Sequence, residues 1–249
     1  MVESLGENNL ITSSGKLFYT YYKSNNKNNI NKNLVFLHGL GASSKAWNRV
    51  ATILPTKYNF YFIDLLGHGR SDAPIVNYNI KLQVKIINEF INGLSLSNVY
   101  LIGHSYGGWI AATYAATYKS SLKGLVLVDS AGLDINFNSI TPKESLALKE
   151  KMYYQIMKID GNRSYVIKNI LDSEFNEEWL TEEVLNEINV PTLIIWGEND
   201  KIINVKYAKI FNKRIKNSKL KIISSAGHNA HYTNSKEFVD LLFDFVENT

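Results

Sequence analysis

Three residues of this chain have the types and the order that covalent acyl-transfer chemistry requires. Ser105 is the centre of the pentapeptide GHSYG at positions 103–107, and Asp200 and His228 follow it along the chain. A serine hydroxyl is a poor nucleophile at neutral pH, so it needs an adjacent base, and that base needs a group that orients it. Histidine and a carboxylate fill these two roles in many unrelated folds. The three residues together predict an activated serine nucleophile.

The sequence on either side of Ser105 has the strand, turn and helix pattern that such a serine needs. Residues 98–102 form a short apolar run of strand type, and residues 108–117 are typical of a helix. A sharp turn between them lifts the hydroxyl clear of the sheet, where side chains two positions away would collide. Gly103 and Gly107 occupy those two positions. This context makes the pentapeptide a far more specific signal than its letters alone.

Asp200 and His228 also follow runs of strand type. The run at 191–196 precedes Asp200, and the run at 220–223 precedes His228. The ends of parallel strands meet at one edge of a sheet, and side chains just beyond them project above that edge. The order Ser, Asp, His is the one used by sites that are built on a strand-to-helix turn.

Other interpretations of these residues stay open at this stage. Asp129 directly follows the apolar run at 124–128 and could supply the carboxylate, in which case Asp200 is a helix cap. His231 is the alternative to His228, although no glycine precedes it. The remaining histidines are interpreted as structural, and they are His38, His68 and His104.

Composition limits the class of protein. With 249 residues, of which 45% are hydrophobic and 20% charged, the chain can form one large soluble α/β domain. Cysteine is absent, which excludes disulfides and thiolate metal sites, and the five histidines lack metal-ligand spacing. We therefore expect no metal and no cofactor.

The charge pattern and the apolar runs limit the partners and the location. The net charge of +4 comes mostly from scattered lysines, which indicates solubility and no nucleic-acid partner. The sequence has no apolar run of the length that a membrane span needs, and its first residues do not resemble a signal peptide. A cytoplasmic location is the expectation.

Strands alternate with helices along most of the chain, which predicts an α/β fold with a mostly parallel central sheet and helices on both faces. The alternation is interrupted once, where only helical patterns occur, and the first of these has the capping box TPKE at 141–144. We predict a core of residues 1–132 and 189–249 and a small inserted helical cap of residues 133–188.

Five segments in order resemble the motifs of the α/β-hydrolase fold family, and of its serine esterase-like members with a helical cap. They are HGLG at 38–41, DLLGHGRS at 64–71, GHSYG at 103–107, WGEND at 196–200 and GH at 227–228. The resemblance covers almost the full length of the chain. It implies that Ser105 is the nucleophile, His228 the general base and Asp200 the orienting acid. It also implies an oxyanion hole formed by the backbone N–H groups of Leu40 and Tyr106.

The function expected from the residues and the resemblance is hydrolysis of small carboxylic esters with short to medium acyl chains, through an acyl-enzyme. The alternatives are other acyl or carbon–carbon bond hydrolases of the fold (monoacylglycerol lipase, thioesterase, lactonase, prolyl aminopeptidase) and a non-catalytic ligand-binding member. Five side chains could line an acyl pocket or could equally pack the cap on the core, and they are Trp109, Met152, Tyr153, Met157 and Trp179.

Overall fold

Strands and helices alternate along the chain in the computed structural model, which describes residues 5–24, 32–119, 121–133, 141–159, 161–174 and 179–249. The strands are β1 (Gly6–Thr12), β2 (Gly15–Tyr22), β3 (Asn33–Leu37), β4 (Asn59–Ile63), β5 (Val99–His104), β6 (Leu122–Val128), β7 (Thr192–Gly197) and β8 (Ser218–Ile223).

These strands form one sheet in the order β1-β2-β4-β3-β5-β6-β7-β8. β1 and β2 are a hairpin, and β2 pairs antiparallel with β4. Every pair from β4 to β8 is parallel. The prediction of a mostly parallel sheet is confirmed. The central strands β3 and β5 are buried along their whole length, as strands covered on both faces must be.

The helices are α1 (Asn48–Ala51), α2 (Ile80–Gly93), α3 (Tyr106–Thr117), α4 (Pro142–Ile156), α5 (Ser164–Glu174), α6 (Glu182–Asn186), α7 (Lys206–Arg214), α8 (Ala230–Thr233) and α9 (Ser235–Glu247). Apolar residues of α2, α3 and α7 belong to one hydrophobic cluster, and those of α1 and α9 belong to a second. The sheet therefore has a packed layer on each face. Within the described residues, no helix is both long enough and apolar enough to cross a membrane.

Two short helical segments follow β3 and precede β7, respectively. A 3-10 turn, Ser44–Trp47, precedes the short α1. Thr181 caps α6 by accepting a hydrogen bond from the N–H of Val184.

The segment between β6 and β7 contains only helices in its described part, namely α4, α5 and α6. Thr141 and Glu144 form the predicted capping box at the start of α4. Two side chains from the turn between α4 and α5 bind the loops at the edge of the sheet: Asn162 donates to the carbonyl of Gly41 (2.8 Å) and Arg163 to that of Gly67 (3.1 Å). Treating residues 133–188 as a separate cap remains a prediction.

Candidate active site

Ser105 lies in the turn between β5 and α3, with the backbone in the left-handed region at φ 51°. The turn is too tight for side chains on either side. A Cβ on Gly103 would lie 2.2 Å from the carbonyl oxygen of Gly107, and a Cβ on Gly107 would lie 2.5 Å from that of Leu37. Strain of this kind occurs at functional sites and is sustained only where the surroundings determine it. The glycines of the pentapeptide are therefore steric requirements of the turn.

His228 connects Ser105 to Asp200 through its two ring nitrogens. Its Nε2 lies 3.0 Å from Ser105 Oγ, and its Nδ1 lies 2.8 Å from Asp200 Oδ2. The side chain of Asp200 is fully buried. With Nδ1–H donated to the carboxylate, Nε2 presents its lone pair to the hydroxyl and can accept the hydroxyl proton.

Asp200 is itself held by the backbone that follows it. Its Oδ1 accepts hydrogen bonds from the N–H groups of Ile202 (2.8 Å) and Ile203 (2.9 Å). One oxygen is thus anchored to the chain and the other faces His228, so the carboxylate fixes both the orientation and the tautomer of the imidazole.

Asp129 and His231, the alternatives to Asp200 and His228, have other partners. Asp129 accepts hydrogen bonds from the N–H groups of Gly197 (2.8 Å) and Ala230 (3.2 Å). His231 is buried between the rings of Trp47 and His104, at 4.4 Å from each. The carboxylate that accepts a hydrogen bond from His228 Nδ1 is that of Asp200.

The three histidines interpreted as structural are all buried, and burial lowers the pKa of each of them, to about 3 for His68. They are neutral at physiological pH. His38 accepts from the N–H of Leu65 through Nε2 (3.0 Å), so its Nδ1–H donates to the carbonyl of Gly39 (2.8 Å). His104 Nε2 lies 2.7 Å from the carbonyl oxygen of His228. Two of these histidines therefore hold loops that carry site residues.

Leu40 and Tyr106, the candidate oxyanion-hole residues, line the same cavity as Ser105. Tyr106 begins α3, so its backbone N–H lies at the N-terminal end of that helix, directly after Ser105. The loop that carries Leu40 comes close to the serine, since a Cβ on Gly39 would lie 3.3 Å from Ser105 Cβ. The two backbones thus meet beside the hydroxyl.

A cavity of about 380 Å³ opens beside Ser105. Three of the five predicted pocket residues line it, namely Trp109, Met152 and Trp179, and the two indoles stack at 4.9 Å. Tyr153 and Met157 do not line the cavity. Tyr153 instead lies on the side of α4 that faces α5, where its hydroxyl is 2.9 Å from Ser164 Oγ.

Several lining residues were missed by the sequence reasoning. On α4 they share one face at helical spacing with Met152, and after Asp200 they form a continuous segment: Leu148, Lys151, Gln155, Lys201, Ile202 and Ile203. The missed signal on α4 is the stripe at positions 148, 151, 152 and 155, which mixes apolar and polar side chains. Of the three bulky residues predicted from this part of the chain, Met152 lines the cavity, whereas Tyr153 and Met157 do not.

In the described part of the chain, three buried side chains have the types and the proximity of metal ligands. His104, Asp129 and His231 have ligand atoms within 4.8 Å of one another. Both oxygens of Asp129 and Nε2 of His104 already make hydrogen bonds to the backbone. These bonds make the group a part of the scaffold, and we assign it no metal.

Comparison with known proteins identifies the family of the fold. A family model described as alpha/beta hydrolase fold matches residues 32–168 and 136–235. Monoacylglycerol lipase ABHD6 of Mus musculus is 28% identical over 251 residues, covering 86% of this chain and 75% of the relative. Lipase 3 of Moraxella sp. (strain TA144) is 27% identical over 247 residues, covering 88% and 77%.

Solved structures share the same architecture. An esterase from Exiguobacterium antarcticum superposes with a TM-score of 0.85, at 23% identity, over 97% of this chain and 100% of that chain. At this level of identity the likeness speaks for the fold.

Proposed function

Because the chain belongs to the alpha/beta hydrolase fold family, we propose that it is a serine hydrolase that cleaves carboxylic esters through an acyl-enzyme. The observation that carries the proposal is the pair of contacts made by His228, 3.0 Å to Ser105 Oγ and 2.8 Å to Asp200 Oδ2. Nucleophile, base and orienting acid are then within hydrogen-bonding reach of one another.

In the first half of the reaction, Ser105 Oγ attacks the ester carbonyl carbon while His228 Nε2 takes the hydroxyl proton. The carbonyl oxygen becomes an oxyanion. When the tetrahedral intermediate collapses, the bond to the alkoxy oxygen breaks, and His228 donates the proton to the departing alcohol. The acyl group remains on Ser105.

In the second half, a water molecule attacks the acyl carbon, and His228 Nε2 accepts its proton. Collapse of the second intermediate returns that proton to Ser105 and releases the carboxylic acid. Asp200 stabilises the imidazolium that forms in each half and is not itself protonated.

The N–H groups of Leu40 and Tyr106 are the proposed donors to the oxyanion. Both residues line the cavity beside Ser105, and backbone amides need no reorganisation when the charge develops. Loss of one such donor costs about 2.7–4 kcal/mol of transition-state stabilisation where it has been measured.

The size and the lining of the cavity favour an ester with a short to medium acyl chain. Trp109, Trp179 and Met152 give it apolar walls, and its volume of about 380 Å³ limits the length that fits. Each methylene placed against such walls contributes about 0.8 kcal/mol of binding. The proposed cap bounds the cavity on one side through α4.

Monoacylglycerol is the second candidate substrate. The observation that favours it is the similarity to relatives named monoacylglycerol lipase, one of which aligns with 86% of this chain. The cavity suits such an amphiphile, because Lys151, Gln155 and Lys201 add polar groups to its apolar lining.

Turnover of p-nitrophenyl esters of increasing acyl length tests the proposal. We expect kcat/KM to rise with length, to peak in the short to medium range and to fall for long chains. Ser105→Ala should lose about 10⁶-fold in kcat, because no other nucleophile is activated. An optimum at palmitoyl esters would instead indicate a long lipid groove, and full activity in Ser105→Ala would refute the proposed nucleophile.

A further inference from the structure

Asp129 is a fully buried acidic residue in the sharp turn that follows β6. Its Oδ1 accepts a hydrogen bond from the N–H of Gly197 (2.8 Å), and its Oδ2 accepts one from the N–H of Ala230 (3.2 Å). A single side chain therefore holds backbone groups from two separate segments of the chain.

Those two segments carry the proposed acid and the proposed base. Gly197 ends β7, and its carbonyl accepts a hydrogen bond from the N–H of Asp200 (3.3 Å). Ala230 begins α8, immediately after the loop that carries His228. The carboxyl group of Asp129 thus spans the two loops whose side chains must meet.

The backbone around Asp129 is also bonded to the nucleophile turn. The N–H of Ser105 donates to the carbonyl of Val128 (3.0 Å), and the N–H of Ala131 donates to the carbonyl of Ser105 (3.0 Å). Asp129 lies between these two partners. Residues 128–131 are therefore bonded to all three loops of the site, to two of them through the side chain of Asp129 and to the turn of Ser105 through the neighbouring backbone.

The backbone conformation and the burial of Asp129 both cost the folded state free energy. Asp129 has a left-handed backbone at φ 44°, a conformation that costs a non-glycine residue about 1–2 kcal/mol. Burial raises the pKa of its carboxyl group to about 8, although its two hydrogen bonds to backbone N–H groups oppose the shift. Strain combined with a buried ionisable group points to a role beyond packing.

We propose that Asp129 is a positioning residue, which keeps His228 and Asp200 aligned with Ser105 by holding the N–H groups of Gly197 and Ala230. This inference rests on the proposed function. Asp129 does not line the cavity, so it acts on the reaction through the loops and not through the substrate.

A purely structural role makes a different prediction from a positioning role. If Asp129 only stabilises the end of the sheet, its loss lowers the melting temperature and leaves the molecules that remain folded fully active. If it positions the loops, kcat falls in folded molecules, because small misalignments of reacting groups are expensive. KM changes little in that case, because the cavity walls are untouched.

Asp129→Asn is the first test. The amide has the same shape, but only one of its two ends accepts a hydrogen bond, so one backbone N–H faces an NH₂ group. Well below its melting temperature, we expect kcat on a p-nitrophenyl ester to fall about 10–100-fold, with KM changed less than about twofold. The low-field proton NMR resonance of the His228 Nδ1–H, recorded without substrate, should shift or broaden.

Val126→Ala is the matched control. Val126 is fully buried on the same strand, three residues before Asp129, and its side chain has no hydrogen-bonding group, so its truncation lowers stability through packing. This variant should keep its kcat and its imidazole resonance. If Asp129→Asn behaves like Val126→Ala in both measurements, the positioning role is wrong.

Asp129→Gly provides a second variant if the asparagine variant folds poorly. Glycine removes the carboxyl group and relieves the left-handed backbone, so the two effects on stability oppose each other. Its kcat and its resonance should change in the same direction as for Asp129→Asn, and wild-type values would contradict the proposal. Ser105→Ala in the same assay separates the two proposals: if it stays active, the serine mechanism fails, and the imidazole resonance still decides the role of Asp129.

Discussion

At the scale of single residues, the chemistry depends on which ring nitrogen of His228 carries the proton. Asp200 accepts from Nδ1 at 2.8 Å, and this bond leaves the lone pair of Nε2 directed at the serine hydroxyl. In our proposal, Asp129 supports the same geometry by holding the backbone N–H groups of Gly197 and Ala230. The two acidic residues therefore differ in kind, and their removal should differ in consequence.

We predict that Asp200→Asn lowers kcat by about 10⁴-fold, because an amide at this position stabilises the wrong tautomer of the imidazole. Asp129→Asn should cost far less, since it leaves the bond between His228 and Asp200 in place. Matched steady-state kinetics of the two variants at one pH provide the comparison. A larger loss in Asp129→Asn would transfer the acid role to Asp129.

Much of the geometry of the candidate site could be predicted at this scale, because the turn that carries Ser105 has a local signature. Ser105 is flanked by glycines that sterics require, and Asp200 and His228 follow predicted strands at one edge of a parallel sheet. The bonds of Asp129 could not be predicted, because its partners are backbone N–H groups and any residue type supplies those. From its position after an apolar run of strand type, Asp129 could be predicted only as an alternative to Asp200.

At the scale of elements, α4 lines the cavity beside Ser105, and in the proposed function it limits the shape of the substrate. Its capping box and its length follow from local sequence, so the helix itself could be predicted. The face of α4 that borders the cavity could not be predicted. Apolar residues occur on several faces of this helix, and only tertiary packing determines which face lies toward the cavity. Met152 lies on the face toward the cavity, whereas Met157 does not line it.

This difference predicts unequal effects for two methionine substitutions. Met152→Ala should enlarge the cavity and move the acyl-length optimum toward longer chains, because the space of the removed side chain becomes available to the substrate. Each extra methylene accommodated should contribute about 0.8 kcal/mol. Met157→Ala, the control from the same helix end, should leave the optimum unchanged. Equal shifts in kcat/KM profiles across the ester panel would show that the cavity is assigned to the wrong face.

At the scale of the whole molecule, the alternation of strands and helices was enough to predict a parallel sheet with two covering layers. The order of the strands was not available from that pattern, since β3 lies between β4 and β5 only through long-range pairing. The same folding buries several ionisable side chains at the centre of the molecule, which links stability to pH.

The buried ionisable groups predict a maximum of stability at about pH 7, where the proton uptake of four unfolded histidines balances the one proton held by folded Asp129. Four histidines have pKa values lowered by burial, so below about pH 6.5 the unfolded chain binds protons that the folded protein does not, and stability falls with acidification. They are His38, His68, His104 and His231. Each contributes at most about 1.4 kcal/mol per pH unit.

Asp129 changes the pH dependence of stability in the opposite direction. Its pKa is raised to about 8 in the folded protein, so between about pH 4 and pH 8 the folded state holds a proton that the unfolded chain has lost. Its effect on stability therefore declines as pH rises. Urea unfolding from pH 4.5 to 8.5 should show a rise to about pH 7 and then a decline, and Asp129→Asn should remove the decline. Stability that continues to increase up to pH 8 would contradict this assignment.

The central claim is that Ser105 is the nucleophile of an acyl-transfer site. Reaction of the folded protein with a fluorophosphonate ester, followed by mass spectrometry of its peptides, tests it most directly, because the reagent traps a serine only where a base activates it. We predict one adduct, on Ser105, together with loss of esterase activity, and no adduct in Ser105→Ala or after urea unfolding. Full esterase activity with Ser105 unlabelled, or labelling at another residue, would contradict the claim.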